Sequence, residues 1–186
     1  RPPGALVSER RPTLQYVYAG PLIQLVRHDF IGGNLFRMAK FCFLGYNLLV
    51  VDGRGSAHRG RRFADQILCN MGQVEVSDQV CALRYAAGLL GGIDLERVAI
   101  HGWSYGGYTS LLGLAQAPDV YKIAVACAPV TDWALYDTGY TERYMGLPAD
   151  EAEAYEAGSI INMAQHFPNE PNRLFLQHGA IDENVH

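Results

Sequence analysis

Residues 102–107 read Gly-Trp-Ser-Tyr-Gly-Gly, a serine with a glycine two positions to either side. A serine on a sharp strand-to-helix turn needs that spacing, because its own backbone is strained and side chains two residues away would collide. Such a turn lifts the Ser104 hydroxyl clear and sets a helix N-terminus beneath it, where the Tyr105 amide can stabilise an oxyanion. The chemistry would be attack on an acyl carbonyl. In a chain with 20 glycines the pattern alone is weak. Its competitor is a glycine-rich turn in which Ser104 merely caps the helix.

A serine nucleophile needs a base and an acid to orient that base, and behind a G-x-S-x-G turn the chain order is serine, acid, histidine. Asp182, in the closing HGAIDENVH, stands where the acid belongs, with Glu183 as its neighbouring competitor. Only His186 follows Asp182, and four residues are too few to reach a separate loop. His101 and His178 precede glycines at strand ends and read as structural, and His28, His58 and His166 offer no better geometry. The base is therefore expected beyond residue 186. Both ends look cut: there is no initiator Met, and the last residues follow an apolar run without a cap.

The elements that must position these residues are legible as alternation. Short apolar runs at Leu14–Tyr18, Asn47–Val51, Arg97–His101, Ile123–Cys127 and Leu174–Gln177 have the make-up of doubly buried parallel strands. Helical segments are expected at Leu35–Leu44, Val76–Leu90 and Tyr105–Gln116. Right-handed strand-helix-strand units then give an open, mainly parallel sheet with helices on both faces. Ligands bind such sheets at the carboxyl ends of the strands, where Ser104 and Asp182 fall. Residues 1–12 read as a polar lead-in, and 13–186 as one incomplete domain.

Composition narrows the function classes. With 15 basic and 19 acidic residues the net charge is −4, a poor match to a nucleic-acid binder that works by neutralising phosphates. No apolar run is long enough to span a membrane. The residues are 49% hydrophobic and 18% charged, which excludes a disordered chain. Cys42, Cys69, Cys81 and Cys127 are scattered without metal-ligand spacing and read as reduced, buried thiols, with a disulfide pair as the alternative. The first ten residues lack the apolar core of a signal peptide, and no N-x-[ST] sequon occurs. Arg54, Arg59, Arg61 and Arg62 could hold a phosphate, but a solvated loop paired to acids such as Asp65 accounts for them more simply.

Beyond these readings, GWSYGGY, APVTDW, YDTGYTERYMGLP and HGAIDENVH, with VYAGP and DGRGSAHRG upstream, closely resemble the prolyl oligopeptidase family of serine peptidases, in its dipeptidyl peptidase IV branch. The resemblance runs from about Leu14 to His186. NMGQVEVSDQV, IDLERVAIHGWSYGG, YEAGS and PNEPNRL look most like the branch's cytosolic members, dipeptidyl peptidases eight and nine. It implies a truncated α/β-hydrolase domain, cytoplasmic location, no cofactor or metal, no nucleic-acid or membrane partner, and a homodimeric parent. It also implies that the family's β-propeller and the groups that grip a substrate's amino terminus lie outside these residues. The implied substrates are peptides with proline second from the amino terminus, or less well alanine, cut to release a dipeptide.

On that resemblance Ser104 attacks the carbonyl after the proline, and Asp182 orients the histidine. The Tyr18 hydroxyl joins the Tyr105 amide as oxyanion donor, a task that suits a neutral phenol on a rigid ring. Without the resemblance, Tyr18 would read as a strand-end aromatic in the core. Trp133, Tyr136, Tyr140 and Tyr144 are spaced as a helical stripe, ordinarily a packing feature, and Tyr144 is read that way. The resemblance instead has Val130, Trp133, Tyr136, Tyr140 and Val185 line a proline pocket. Asn184 then bonds the substrate near its amino end; otherwise it is a loop asparagine in a local turn.

Two rival readings stand beside the peptidase: a non-catalytic hydrolase-fold binding module, and an acylaminoacyl peptidase or esterase. Without a base, residues 1–186 by themselves are expected to be inactive. A truncated sheet with an open edge is expected to make them poorly soluble.

Overall fold

A computed structural model describes residues 1–29 and 33–186. The apolar runs form one sheet of strands β1 (Arg11–Val17), β2 (Asn47–Val50), β3 (Ile93–Trp103), β4 (Ile123–Cys127) and β5 (Leu174–Gln177). The helices are α1 (Gly33–Phe43), α2 (Arg61–Ala64), α3 (Glu75–Leu90), α4 (Tyr105–Gln116), α5 (Thr138–Met145) and α6 (Ala152–Gly158). Most boundaries fall within a residue or two of expectation. The exceptions are β3, which starts four residues before the expected Arg97 because Ile93 pairs with Arg11, and β1, which starts at Arg11 rather than Leu14.

Every strand pair is parallel, in the order β2-β1-β3-β4-β5. The chain runs from β1 outward to β2 and then returns to the other side of β1. The crevice between the carboxyl ends of β1 and β3 is therefore the topological switch point, where open sheets of this kind bind ligands. Register sets the strand ends level: Val17 pairs Gly102, Trp103 pairs Cys127, and Cys127 pairs Gln177.

Helices cover both faces, as expected. Side chains alternate along a strand, so Gln15 and Tyr16 point to opposite faces, as do Ile100 and His101. Gln15 bonds Gln79 of α3, and Ile100 packs beside Gly113 of α4. On the other face Tyr16 and Phe41 of α1 both meet the His101 ring edge-on.

Beneath the sheet lies a buried polar network. The Gln15 amide donates to Gln79 Oε1 (2.7 Å) and to the Gln79 carbonyl (3.1 Å), and Tyr121 donates to Gln15 Oε1 (3.0 Å). All three side chains are fully buried. Replacing Gln15 with leucine leaves a phenol and a carbonyl without partners, an expected loss of about 3 kcal/mol. A urea midpoint unchanged from the parent in the full-length chain would contradict this.

The cysteines differ from expectation. None of the four forms a disulfide, but only Cys127 is buried; Cys42 is half-buried, and Cys69 and Cys81 are exposed. Cys69 sits in a tight turn at φ 48°, and Cys81 lies on the outer side of α3, positions that a small side chain tolerates at the surface. Arg61 pairs Asp65 at 3.0 Å, as read from the sequence, whereas Arg54 reaches across to Asp78 on α3 at 2.7 Å. Among the described residues β5 pairs with β4 alone, and each of its residues is exposed, Phe175 at 58%.

Candidate active site

Ser104 stands between β3 and α4 with φ 57° and ψ −117°, a conformation that ordinary side chains avoid. Its amide donates to the Cys127 carbonyl (2.9 Å), and its carbonyl accepts from Tyr108 in the first turn of α4 (2.9 Å). The backbone is thus held from both sides. The hydroxyl makes no capping bond to the helix, which removes the capping account, and the residue is half-exposed. The flanking glycines are sterically required. A Cβ on Gly102 would lie 2.4 Å from backbone atoms of Gly106, and one on Gly106 would lie 2.2 Å from the Val17 carbonyl oxygen. Gly107 would meet the Cys127 carbonyl at 2.6 Å.

This packing drives α4 against the end of β1 and brings Tyr18 to the serine's side of the crevice. Thr109 of α4 donates to the Tyr18 carbonyl (3.1 Å), and the ring centroids of Tyr18 and Tyr105 lie 5.8 Å apart. Burial and the nearby Tyr136 phenol push the Tyr18 hydroxyl's pKa up, opposed by a hydrogen bond from Tyr140. A phenol held in its neutral form can donate to developing charge. The Tyr105 amide opens α4 and has no acceptor inside the helix.

Asp182 sits on the loop after β5. Its Oδ1 accepts from the amides of Asn184 and Val185, both at 3.0 Å. Those two bonds, with smaller help from His178 and His186, hold its pKa below the usual carboxylate value. Oδ2 is left toward His178 Nε2, 3.6 Å away. That nitrogen lies 2.7 Å from the Val185 carbonyl, so His178 closes the loop, in keeping with its structural reading. Trp103, Ala128, Gln177, Asp182 and Asn184 line one cleft of about 530 Å³, and Trp103 and Ala128 flank the serine turn. The competitor Glu183 lines the same cleft but accepts none of the loop bonds that fix Asp182.

The aromatic residues do come together, though not as one helical stripe. Trp133 begins a single 3₁₀ turn, Tyr136 is extended, and Asp137 caps α5 by accepting from the Tyr140 amide (2.9 Å). The Asp137 cap breaks the helical period that the spacing suggested. Trp133 stacks on Tyr140 with centroids 6.2 Å apart, and Tyr136 meets both rings edge-on. Tyr136 donates to Asn184 (3.2 Å), which ties this segment to the Asp182 loop. Val130, Trp133 and Val185 are almost fully buried, so half-buried Tyr136 and Tyr140 form the accessible face above them. Tyr144 belongs to the core, as read from its sequence.

Sequence reasoning missed Glu75. Its carboxylate is completely buried and accepts the Tyr105 phenol at 2.6 Å. Locally, a glutamate opening a helix reads as an ordinary helix start, and nothing nearby in the chain points to a tyrosine thirty residues on.

With this geometry in hand, comparison with known proteins is informative. Residues 34–186 match the sequence profile of the prolyl oligopeptidase family. The chain is 51% identical to dipeptidyl peptidase 8 of human and of mouse over 96% of its own length, and spans 20% of theirs. It is 40% identical to mouse prolyl endopeptidase FAP over its whole length, 24% of that protein. A solved Bacteroides ovatus structure assigned as a dipeptidyl aminopeptidase IV superposes with a TM-score of 0.88 at 31% identity, covering 96% of this chain and 25% of that one. Among the described residues, no helix is long and apolar enough to cross a membrane. A strained serine turn at the switch point of a parallel sheet, matched along most of its length by one profile, has one consistent reading: the chain belongs to the prolyl oligopeptidase family.

Proposed function

We propose that these residues are part of the α/β-hydrolase domain, with 1–12 leading into it, of a serine-type dipeptidyl peptidase. The observation that carries the reading is Ser104, held at φ 57° with its hydroxyl uncapped at the turn from β3 into α4, next to Trp103, which lines the Asp182 cleft. In the proposed reaction Ser104 Oγ attacks the carbonyl carbon after the substrate's second residue, and its proton passes to a histidine oriented by Asp182. The base is proposed to come from outside these residues. The oxyanion accepts from the Tyr18 hydroxyl and the Tyr105 amide. The shortened peptide leaves as an amine, and water then frees the dipeptide from the serine ester.

Proline as the second residue fits a site whose accessible face is two half-buried tyrosine rings, with Trp133, Val130 and Val185 behind them. Asn184, tied to Tyr136, is proposed to meet the substrate near its amino end. A cytoplasmic, homodimeric parent and no activity in residues 1–186 alone remain part of the proposal.

The test compares the full-length chain on three reporters: Gly-Pro-nitroanilide, the same compound acetylated at its amino end, and a simple ester. Cleavage of the free Gly-Pro reporter alone supports the dipeptidyl reading. Equal cleavage of the acetylated form would turn it toward an endopeptidase, an activity that the mouse relative's name carries. Preference for the ester would make it an esterase, and no turnover would leave a binding module. On the cleaved reporter, Tyr18→Phe is expected to lower kcat about 10²- to 10³-fold with KM little changed, since its bond forms only as charge develops.

A further inference from the structure

The Glu75 carboxylate is an unusual object in this core. Its side chain is fully buried, and its hydrogen-bond partners are all neutral. Oε1 accepts from the Tyr105 phenol (2.6 Å) and the Gly72 amide (2.9 Å), and Oε2 accepts from the amides of Gly72 and Val74 (both 3.0 Å). A buried carboxylate with no cation hydrogen-bonded to it is destabilising unless its oxygens are met by donors, and here both are. Burial raises its pKa, while the Tyr105 phenol and the backbone donors oppose the rise. Simple stabilisation would be served as well by an apolar pair of the same volume.

What distinguishes this carboxylate is the residue it grips. Tyr105 follows Ser104, and its amide is a proposed oxyanion donor. Its ring touches Tyr18, the other proposed donor, at 5.8 Å and Trp133, beneath the aromatic face, at 5.2 Å. Gly20 has no Cβ because one would lie 2.4 Å from that ring, so the segment after Tyr18 is pressed directly on it. A shift of Tyr105 therefore moves the serine turn, the Tyr18 segment and the base of the aromatic cluster together. Among the described residues, the phenol has one polar anchor, Glu75.

We propose that Glu75 is a positioning residue for the reaction: acting through the Tyr105 phenol, it fixes the first turn of α4 so that the Tyr105 amide and the Tyr18 hydroxyl converge where the oxyanion forms. The proposal rests on the serine-hydrolase reading above. The Gly72–Val74 loop supplies the carboxylate's fixed end, and that loop is itself anchored where Gln116 donates to the Gly72 carbonyl (2.9 Å) and Gln73 to the Ala157 carbonyl (3.0 Å). Tyr105→Phe removes the bond while keeping the ring. Glu75→Gln turns one acceptor into a donor that must face either an amide or the phenol.

The experiment uses the full-length chain and its Glu75→Gln, Tyr105→Phe and doubly substituted forms. Folded sites are titrated with a fluorophosphonate that labels Ser104, and two quantities are read per labelled site: kcat and KM on Gly-Pro-nitroanilide, and the rate of phosphonylation. Each single variant is expected to lose roughly 10- to 100-fold in kcat and in phosphonylation rate, with KM within about threefold, as misplacement of an oxyanion donor produces. Glu75→Gln introduced into the Tyr105→Phe background is expected to add less than about twofold, because both act on one bond. Per-site rates within about twofold of the parent in both single variants, whatever happens to the thermal midpoint, would overturn the proposal and leave Glu75 a purely structural anchor. Multiplying effects in the double variant would also overturn it. A parent that is phosphonylated but does not cleave Gly-Pro-nitroanilide sinks the substrate reading only, and the phosphonylation series still decides Glu75. A parent that is not phosphonylated sinks both.

Discussion

Ser104→Ala in the full-length chain is expected to lower turnover of a Gly-Pro reporter by about 10⁴- to 10⁶-fold, with the protein still folded. Ser104→Gly is expected to be as inactive and also more stable. The reason lies in the backbone. Ser104 is held at φ 57° and ψ −117° by its bonds to Cys127 and Tyr108, and an alanine there inherits the same strain. Glycine occupies that region without penalty, so the exchange is expected to recover about 1–2 kcal/mol. The two variants together separate chemistry from packing: equal loss of activity, with the thermal midpoint raised in the glycine variant and little changed in the alanine one, is the signature of a nucleophile held under strain. Residual turnover within tenfold of the parent in either variant would remove Ser104 from the reaction, and a glycine variant less stable than the alanine one would remove the strain argument.

The largest stability effect is expected at Gly106. Its missing Cβ would stand 2.2 Å from the Val17 carbonyl oxygen and 3.2 Å from the Tyr18 Cα. Both are backbone atoms fixed by the pairing of β1 with β3, so no side chain can swing away to make room. Gly106→Ala must push α4 off the end of β1, at an expected loss of about 3 kcal/mol or more. The displaced atoms are those that carry Tyr18, so whatever folds is expected to be inactive as well. Gly88→Ala is the matched control. It lies in α3 with nothing within 4 Å of the added carbon and is expected to stabilise by about 0.5–1 kcal/mol. Urea unfolding of both variants measures the contrast. A Gly106→Ala midpoint within error of the parent would mean that the close approach of α4 to β1 is not what holds the serine turn.

Much of this protein was legible without a structure, and for a physical reason. Strand and helix identity are written in local periodicity, so the five apolar runs and the helices after residues 34, 75 and 104 could be read within a few residues. The serine turn was legible because its constraint is local: Gly102 and Gly106 stand two residues away, and steric exclusion at that range appears directly as residue type. The place of Asp182 on the loop after the last strand was legible by order along the chain, and the amides that hold its carboxylate, those of Asn184 and Val185, are near neighbours.

What the sequence could not decide are features made by long-range pairing. The order β2-β1-β3-β4-β5 puts Tyr18 and Ser104 on one crevice although 86 residues separate them, and no local pattern encodes which strands become neighbours. The same holds for exposure of Cys69 and Cys81, set by what packs over them, and for the broken stripe at Tyr136, where the Asp137 cap overrode a spacing that looked helical. Glu75 is the clearest instance. By type and position it is an ordinary solvated helix start, and only the arrival of α4 against the Gly72–Val74 loop buries it and hands it the Tyr105 phenol. Residue types fixed the chemistry available to this chain, because a nucleophile, an acid and aromatic rings are properties of side chains. Their convergence is a property of the sheet, because distance between remote residues is set by strand order and register.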